Sequence, residues 1–196
     1  RIRFSNNAGE PEFRWTWHLH QAHELDFGDA PEPIAAGYQT TLARNGARHV
    51  IRGPWLGDFR DRPDPEFDGQ PDPFALGDDN DGNDDEDGVK IPILTPGATA
   101  TIAFRVNGGG GSVAGWIDFD QSRTWDPGEQ IFAASFADGL HYHSFTVPNG
   151  AVAGATFARF RISRQALSSP VGMAQDGEVE DYRVTIRPEP PEYDFG

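Results

Sequence analysis

The fold of this chain is decided by residues 100–119, which read ATIAFRVNGGGGSVAGWIDF. Apolar side chains at Ala100, Ile102, Phe104 and Val106 alternate with smaller or polar ones, which is the pattern of a strand with one buried face. The four glycines that follow predict a loop, and residues 113–119 predict the next strand. This stretch therefore favours a sheet protein.

The same pattern recurs along the chain. Further strands are predicted at 130–136, 140–147, 156–163 and 179–187, and a clear two-sided strand at Glu12–His20. The 23 glycines and 16 prolines interrupt the chain so often that no segment sustains the 3.6-residue apolar period of a helix. We therefore predict an all-β fold, an antiparallel β-sandwich.

Changes in composition divide the chain into three parts. Residues 1–23 form an N-terminal arm, residues 24–187 the sandwich domain, and residues 188–196 a Pro-rich tail. Between about residue 24 and residue 90, Asp, Pro and Gly dominate, with brief apolar islands. A loop region this long needs something to order it, so we expect long Asp/Gly-rich loops that bind calcium.

Charge and composition exclude several classes of function. The net charge of −15 disfavours nucleic acid and anionic membranes as partners, and no apolar run is long enough to insert into a bilayer. The absence of cysteine excludes disulfides, thiol nucleophiles and Cys-based zinc sites. The chain has no initiator Met and no signal peptide, so we expect a mature or excised piece of a longer product.

The densest group of acids lies at residues 78–87. Seven carboxylates separated by Gly and Asn repel one another, and a hard cation with six to eight oxygen ligands relieves that repulsion. The alternative is a solvated acidic loop without fixed structure. We prefer Ca²⁺, with candidate ligands Asp78, Asp79, Asp81, Asp84, Asp85 and Asp87, beside Glu86.

A second candidate calcium loop begins at Asp118. Counted as position 1 of a twelve-residue loop, it places oxygen-bearing side chains at the ligand positions Asp118, Asp120, Ser122, Asp126 and Glu129, the last in the bidentate place. Position 6 favours Gly for its sharp turn, but this chain has Arg123 there. The alternative is a polar hairpin without metal.

Three more acids stand at the start of the last predicted strand, in the motif Gly177–Tyr182. Glu178 and Glu180 share one face of the strand and Asp181 the other. We predict that these three bridge, through a cation, to a distant loop such as residues 84–87. The alternative is an exposed edge strand protected by charges.

Other functional residue types are weaker candidates. His18 with His20, and His141 with His143, are His-x-His pairs that could chelate zinc or copper, although half-buried strand histidines are commoner. No Ser stands in a nucleophile motif, and nothing selects two carboxylates as a glycosidase pair, so we predict no enzymatic activity. Sugar stacking remains open for the aromatic residues Trp15, Trp17, Trp55, Trp125 and Tyr142.

Several motifs appear in a characteristic order: DFGDAP at 26–31, DDEDGV at 84–89, WIDF at 116–119 and GEVEDY at 177–182. In this order the chain resembles the GEVED-domain family of large secreted or surface-attached bacterial and archaeal proteins. The resemblance implies a β-rich extracellular module with calcium sites and no established enzymatic activity. The departure is Ser122-Arg123, where the family commonly has Asp-Gly.

The arm adds a hypothesis about assembly. A solitary strand is unstable in water, so residues 12–20 must join a sheet, either their own or that of a neighbouring copy. The second option gives a head-to-tail contact that builds a filament. We therefore expect a calcium-binding structural or adhesive module, extracellular or at the cell surface, that forms a homopolymer. The alternative is a carbohydrate-binding module that binds surface glycans.

Overall fold

A computed structural model describes residues 24–32, 37–60, 62–77 and 88–188. Several sequence-based predictions therefore lie outside the described residues. These are the arm strand at 12–20, the histidines at 18 and 20, and the six candidate ligands Asp78, Asp79, Asp81, Asp84, Asp85 and Asp87.

The described residues form strands joined by turns, with single-turn 3-10 helices at Leu42–Arg44 and Pro127–Glu129. The eleven strands are β1 (Leu25–Phe27), β2 (Arg48–Val50), β3 (Trp55–Leu56), β4 (Val89–Lys90), β5 (Thr99–Asn107), β6 (Gly111–Ile117), β7 (Gln130–Phe136), β8 (Gly139–Thr146), β9 (Gly154–Ser163), β10 (Met173–Ala174) and β11 (Glu178–Ile186). The prediction of an all-β protein is confirmed. In these ranges there is no helix long and apolar enough to cross a membrane.

Two antiparallel sheets form the body. The main sheet has the strand order β11-β9-β6-β7. In the second sheet β5 is central, with β8 along one edge and the short strands β3 and β4 along the other. The alternating apolar residues of β5 and the inward residues of β6, β9 and β11 lie in one hydrophobic cluster between the sheets. This sandwich arrangement follows from the period-2 pattern of the sequence.

A third, small sheet covers the outer face of the main sheet. Its order is β1-β2-β10, with β1 antiparallel and β10 parallel to β2. The apolar islands predicted inside the Asp/Pro/Gly-rich region supply β2 and β3. Because this layer covers β9 and β11, polar side chains on their outer face, such as Arg159 and Asp181, are buried. The strands of the main sheet are therefore buried on both faces where the small sheet lies.

Candidate metal centre

The candidate centre lies where β6 ends and the chain turns toward β7. Asp118 follows directly after β6, and its N–H donates to the carbonyl of Phe157 in β9. The loop then needs left-handed backbone at Gln121 (φ 58°) and Arg123 (φ 65°). Arg123 thus adopts the turn that the sequence pattern assigns to Gly, and the loop closes in spite of the substitution.

Three carboxylates converge inside this loop. One oxygen each of Asp118, Asp120 and Glu129 lies within 4.8 Å of the other two. Asp118 and Glu129 are buried, and Asp120 is exposed. Two oxygens bound to one Ca²⁺ at about 2.4 Å each stand at most about 4.8 Å apart, so the three side chains could hold one metal ion.

Backbone N–H groups fix the direction of each carboxylate. Asp118 accepts hydrogen bonds from the N–H groups of Ser122 and Arg123, at 3.1 and 2.9 Å. Ser122 N–H also donates to Asp120, at 2.9 Å. Glu129 accepts from the N–H groups of Phe119 and Asp126, both at 2.8 Å. The loop backbone therefore orients the three side chains without any cationic side chain taking part.

The Tyr38 hydroxyl completes the surroundings of Asp118. It donates a hydrogen bond to Asp118 Oδ2, and the Thr156 hydroxyl donates to the Asp118 carbonyl at 2.7 Å. Burial, with the hydrogen bond to Asp118, raises the pKa of Tyr38, so the phenol stays protonated and remains a donor. The ring of Tyr38 packs on Trp125 with centroids 4.6 Å apart, which ties the loop to the protein body.

The crowded carboxylates affect one another's ionisation. Burial raises the pKa of Glu129 to about 7, and the charges of Asp118 and Asp120 contribute to the increase. Hydrogen bonds from Ser122, above all from its backbone N–H, lower the pKa of Asp120. At pH 7 Glu129 is therefore about half protonated, and a bound cation would favour its ionised form.

Asp126, the remaining acid predicted in this loop, lies outside the group of three. Its N–H donates to Glu129, and it precedes the 3-10 turn Pro127–Glu129. The Ser122 hydroxyl is 2.9 Å from that of Thr124. Within the described residues, Asp118, Asp120 and Glu129 are the only three acids or histidines at metal-binding distances.

The acids of the motif at 177–182 are buried and hydrogen-bonded to distant segments. Glu178 accepts the N–H of Leu56 at 2.6 Å. Glu180 accepts the N–H of Gly88 at 3.1 Å and the hydroxyl of Tyr182 at 2.9 Å. These bonds join β11 to β3 and β4, so both carboxylates have a structural role. Their predicted cation bridge to residues 84–87 involves a segment outside the described residues and stays a prediction.

Asp181 pairs with a buried arginine that sequence reasoning missed. Its two oxygens accept the Nε and Nη2 hydrogens of Arg159, each at 2.7 Å, and Oδ2 also accepts the N–H of Ala30. Arg159 lies 5.2 Å from the ring of Trp125 and donates to the carbonyls of Gln39 and Pro170. In sequence, Arg159 alternates with buried apolar residues like any solvent-facing strand residue, so only the covering layer reveals its role.

Gly177 explains why the motif begins with glycine. Its φ of +96° is left-handed, and a Cβ built there would lie 1.7 Å from the carbonyl oxygen of Ile162. Two residues further along, the N–H of Val179 donates a hydrogen bond to Asp26 Oδ2 at 2.7 Å. The motif therefore fastens the first and last segments of the domain together.

The described histidines, His49, His141 and His143, occupy structural positions. His49 is fully buried, accepts from Arg161 Nε at 2.9 Å, and its Nδ1 lies 2.8 Å from the carbonyl of Asp176. Burial, followed by the charge of Arg161, lowers the pKa of His49, so the ring is neutral. His143 stacks on Phe132 with ring centroids 4.4 Å apart, and His141 Nε2 lies 2.7 Å from the Ala137 carbonyl.

Comparison with known proteins finds a match to one family model over part of the chain. Residues 112–185 match the sequence model of the GEVED domain, which spans β6 to β11 and includes both the metal loop and the motif at 177–182. The resemblance drawn from the sequence is confirmed over these residues. Among curated proteins, none is significantly similar in sequence to this chain.

Among solved structures, a weak likeness links the chain to the CARDB domain of a protein from Pyrococcus furiosus, determined in complex with di-metal ions. The two share 13% identity over 52% of this chain and 90% of that chain, with a TM-score of 0.32. A likeness this weak bears on neither the fold nor the metal.

Proposed function

Residues 112–185 of this chain match the GEVED domain, and from this premise we propose that the chain is a non-enzymatic, calcium-binding structural or adhesive module. We place it in an extracellular or cell-surface protein that associates with further copies of itself. The observation that carries the proposal is the convergence of Asp118, Asp120 and Glu129 on one point inside a loop closed by backbone hydrogen bonds.

The chemistry of the centre supports Ca²⁺ as the ion. All three side chains offer hard carboxylate oxygens, and Ca²⁺ accepts several of these in flexible geometry. The loop carries no cysteine or histidine, which transition metals prefer. One exposed ligand, Asp120, leaves the ion open to water, which suits the modest affinity of extracellular calcium modules. A site of modest affinity would fill only where calcium is abundant, so we propose a location outside the cell.

A hydrolytic role for the same acids is less well supported. A raised pKa beside a second carboxylate is also the sign of an acid–base pair. Here, however, both oxygens of Glu129 accept backbone N–H groups, and three carboxylates rather than a pair converge on one point. This arrangement favours a cation over a substrate.

The aromatic side chains give little support to a glycan site. Trp55 donates its ring N–H to the Asp58 carbonyl at 3.0 Å and lies under Arg62, and Trp125 packs between Tyr38 and Arg159. Tyr142 is exposed, on β8. Trp15 and Trp17 lie outside the described residues. The carbohydrate-binding alternative therefore lacks a structural observation of its own.

Calorimetric titration with CaCl₂ tests the proposal. We expect Asp120→Asn to remove one bound ion per chain and to leave the fold intact, because Asp120 is exposed. Asp126→Asn is the matched control, since Asp126 lies in the same loop but outside the group of three, and we expect it to keep that ion. Binding to any ligands at 78–87 remains in both variants, so the difference in stoichiometry isolates this centre.

The same titration at lower pH provides a second readout. Because Glu129 has a pKa of about 7 without metal, calcium must displace its proton in acid. Affinity at this centre should fall as the pH drops from 7 to 5, by up to about tenfold per pH unit. Equal stoichiometry for wild type and Asp120→Asn would refute the proposed centre.

A further inference from the structure

The strands β7 and β8 follow each other in the chain, but they are edge strands of two different sheets. β7 pairs with β6 in the main sheet, and β8 pairs with β5 in the second. Among the described residues, none pairs with the outer edge of either strand. One side of the sandwich therefore presents two neighbouring strand edges, which we call the β7–β8 face.

The β7–β8 face lacks the usual protection of open edges. Natural proteins place charges, prolines or bulges on such edges to prevent pairing with other chains. Residues 130–136 and 139–146 contain no Asp, Glu, Lys, Arg or Pro, in a chain in which 24% of residues are charged. At the opposite end of the main sheet, β11 is covered instead, and its Glu178, Glu180 and Asp181 are buried and hydrogen-bonded to other segments. The unprotected face thus contrasts with the rest of the molecule.

Apolar groups at the face are incompletely covered. Phe136 and Phe145 face the core but are only partly buried, whereas Phe104 and Phe160 in the central strands are fully buried. On the outer side of β8, Leu140 and Tyr142 are 51% and 67% exposed. An added strand with one apolar side would bury the inward aromatic residues. Its polar side chains would then lie beside the outward side chains of β8.

We propose that the β7–β8 face binds residues 12–20 of a second copy of this chain as an added strand along β8. The segment Glu12–His20 has nine residues, against eight in β8 (Gly139–Thr146). Its apolar side chains Phe13, Trp15, Trp17 and Leu19 occupy alternate positions, as an inserted strand requires. This proposal deepens the self-association part of the proposed function and does not depend on the metal.

The reach of the chain favours a second copy over the same copy. The Glu24 carbonyl accepts the Ile51 N–H, and Arg52 forms a bridge with Gly177 just before β11. β7 lies three strand spacings from β11, and a strand added outside β7 would lie a fourth spacing away, about 19 Å from β11. Residues 21–23 allow His20 to lie at most about 14 Å from Glu24. The arm of the same chain therefore falls short of this edge, and β8 lies in the farther sheet.

Cysteine cross-linking tests the proposal, because the chain contains no cysteine. One preparation carries Thr16→Cys, and a second carries Leu140→Cys, Tyr142→Cys or Ser144→Cys, at outward-facing positions of β8. After mixing and mild oxidation we expect a mixed disulfide dimer with at least one of the three, on a non-reducing gel and by mass spectrometry. Val152→Cys, which is exposed and lies on the connection between β8 and β9 rather than on either edge strand, is the control and should give roughly tenfold less product.

Two results would overturn the proposal. The first is mixed disulfide no more abundant with the β8 cysteines than with Val152→Cys. The second is an intrachain disulfide in the double variant Thr16→Cys/Tyr142→Cys at high dilution, which would show that the arm covers its own sheet. We expect the mixed disulfide both in calcium and in chelator. Repeating the experiment in chelator therefore separates failure of strand addition from failure of the metal centre.

Discussion

At the scale of single residues, Arg123 holds a conformation that glycine adopts more easily. Its φ of 65° lies in the left-handed region, which costs a residue with a Cβ about 1–2 kcal/mol. Replacing Arg123 by Gly removes that cost, but part of the gain in stability is lost because Gly loses more conformational entropy on folding. We predict that Arg123→Gly stabilises the protein by about 0.5–1 kcal/mol, measured by urea unfolding.

Arg123→Ala is the matched control, because it removes the same exposed side chain but keeps the Cβ. Both variants retain the N–H that donates to Asp118. If Arg123→Ala is as stable as Arg123→Gly, backbone strain at this position is not the cause.

The sequence predicted part of the candidate site and missed part, for physical reasons. Asp118, Asp120 and Glu129 could be found because their spacing in one loop is a local property. The contribution of Tyr38 could not, because it comes from a segment eighty residues away in the chain. Asp126 has the right spacing but lies outside the group, because its backbone N–H binds Glu129 at the start of a 3-10 turn.

At the scale of elements, the pair Arg159–Asp181 joins β9 to β11 beneath the small sheet. Both side chains are completely buried and the pair makes two hydrogen bonds. Removing one member leaves the other charge buried without its partner, which typically costs about 3–5 kcal/mol. We predict a loss of this size for Arg159→Met in chemical unfolding.

Arg164→Met is the control for that measurement. Arg164 pairs with Asp176 at 3.4 Å, but its side chain is 55% exposed, so the pair should contribute less than about 1 kcal/mol. Equal losses for the two variants would contradict a special role for the buried pair.

The strands themselves were largely predictable, whereas the third layer was not. The predicted strands at 130–136 and 140–147 match β7 and β8 within one residue, and β8 alternates between exposed and half-buried positions along its length. The strands β1, β2 and β10 have only two or three residues each, too few to show a period. Their positions depend on long-range bonds such as Val179 to Asp26, which a local pattern does not reveal.

At the scale of the whole molecule, the net charge of −15 makes two effects of calcium possible. Any salt screens the repulsion among the acids and stabilises the folded chain, over a Debye length of about 10 Å at 0.1 M. An ion held by Asp118, Asp120 and Glu129 stabilises the folded state further, because the unfolded chain lacks the site. The two effects differ in their dependence on the identity of the cation.

We predict that millimolar CaCl₂ raises the melting temperature of the wild-type protein more than NaCl at the same ionic strength does. In Asp120→Asn this calcium-specific increment should shrink, whereas the effect of NaCl should be unchanged, because one charge in fifteen hardly alters the overall repulsion. Chelation should remove the increment and leave the salt effect. If NaCl reproduces the whole effect of CaCl₂ at matched ionic strength, calcium acts on this chain only by screening.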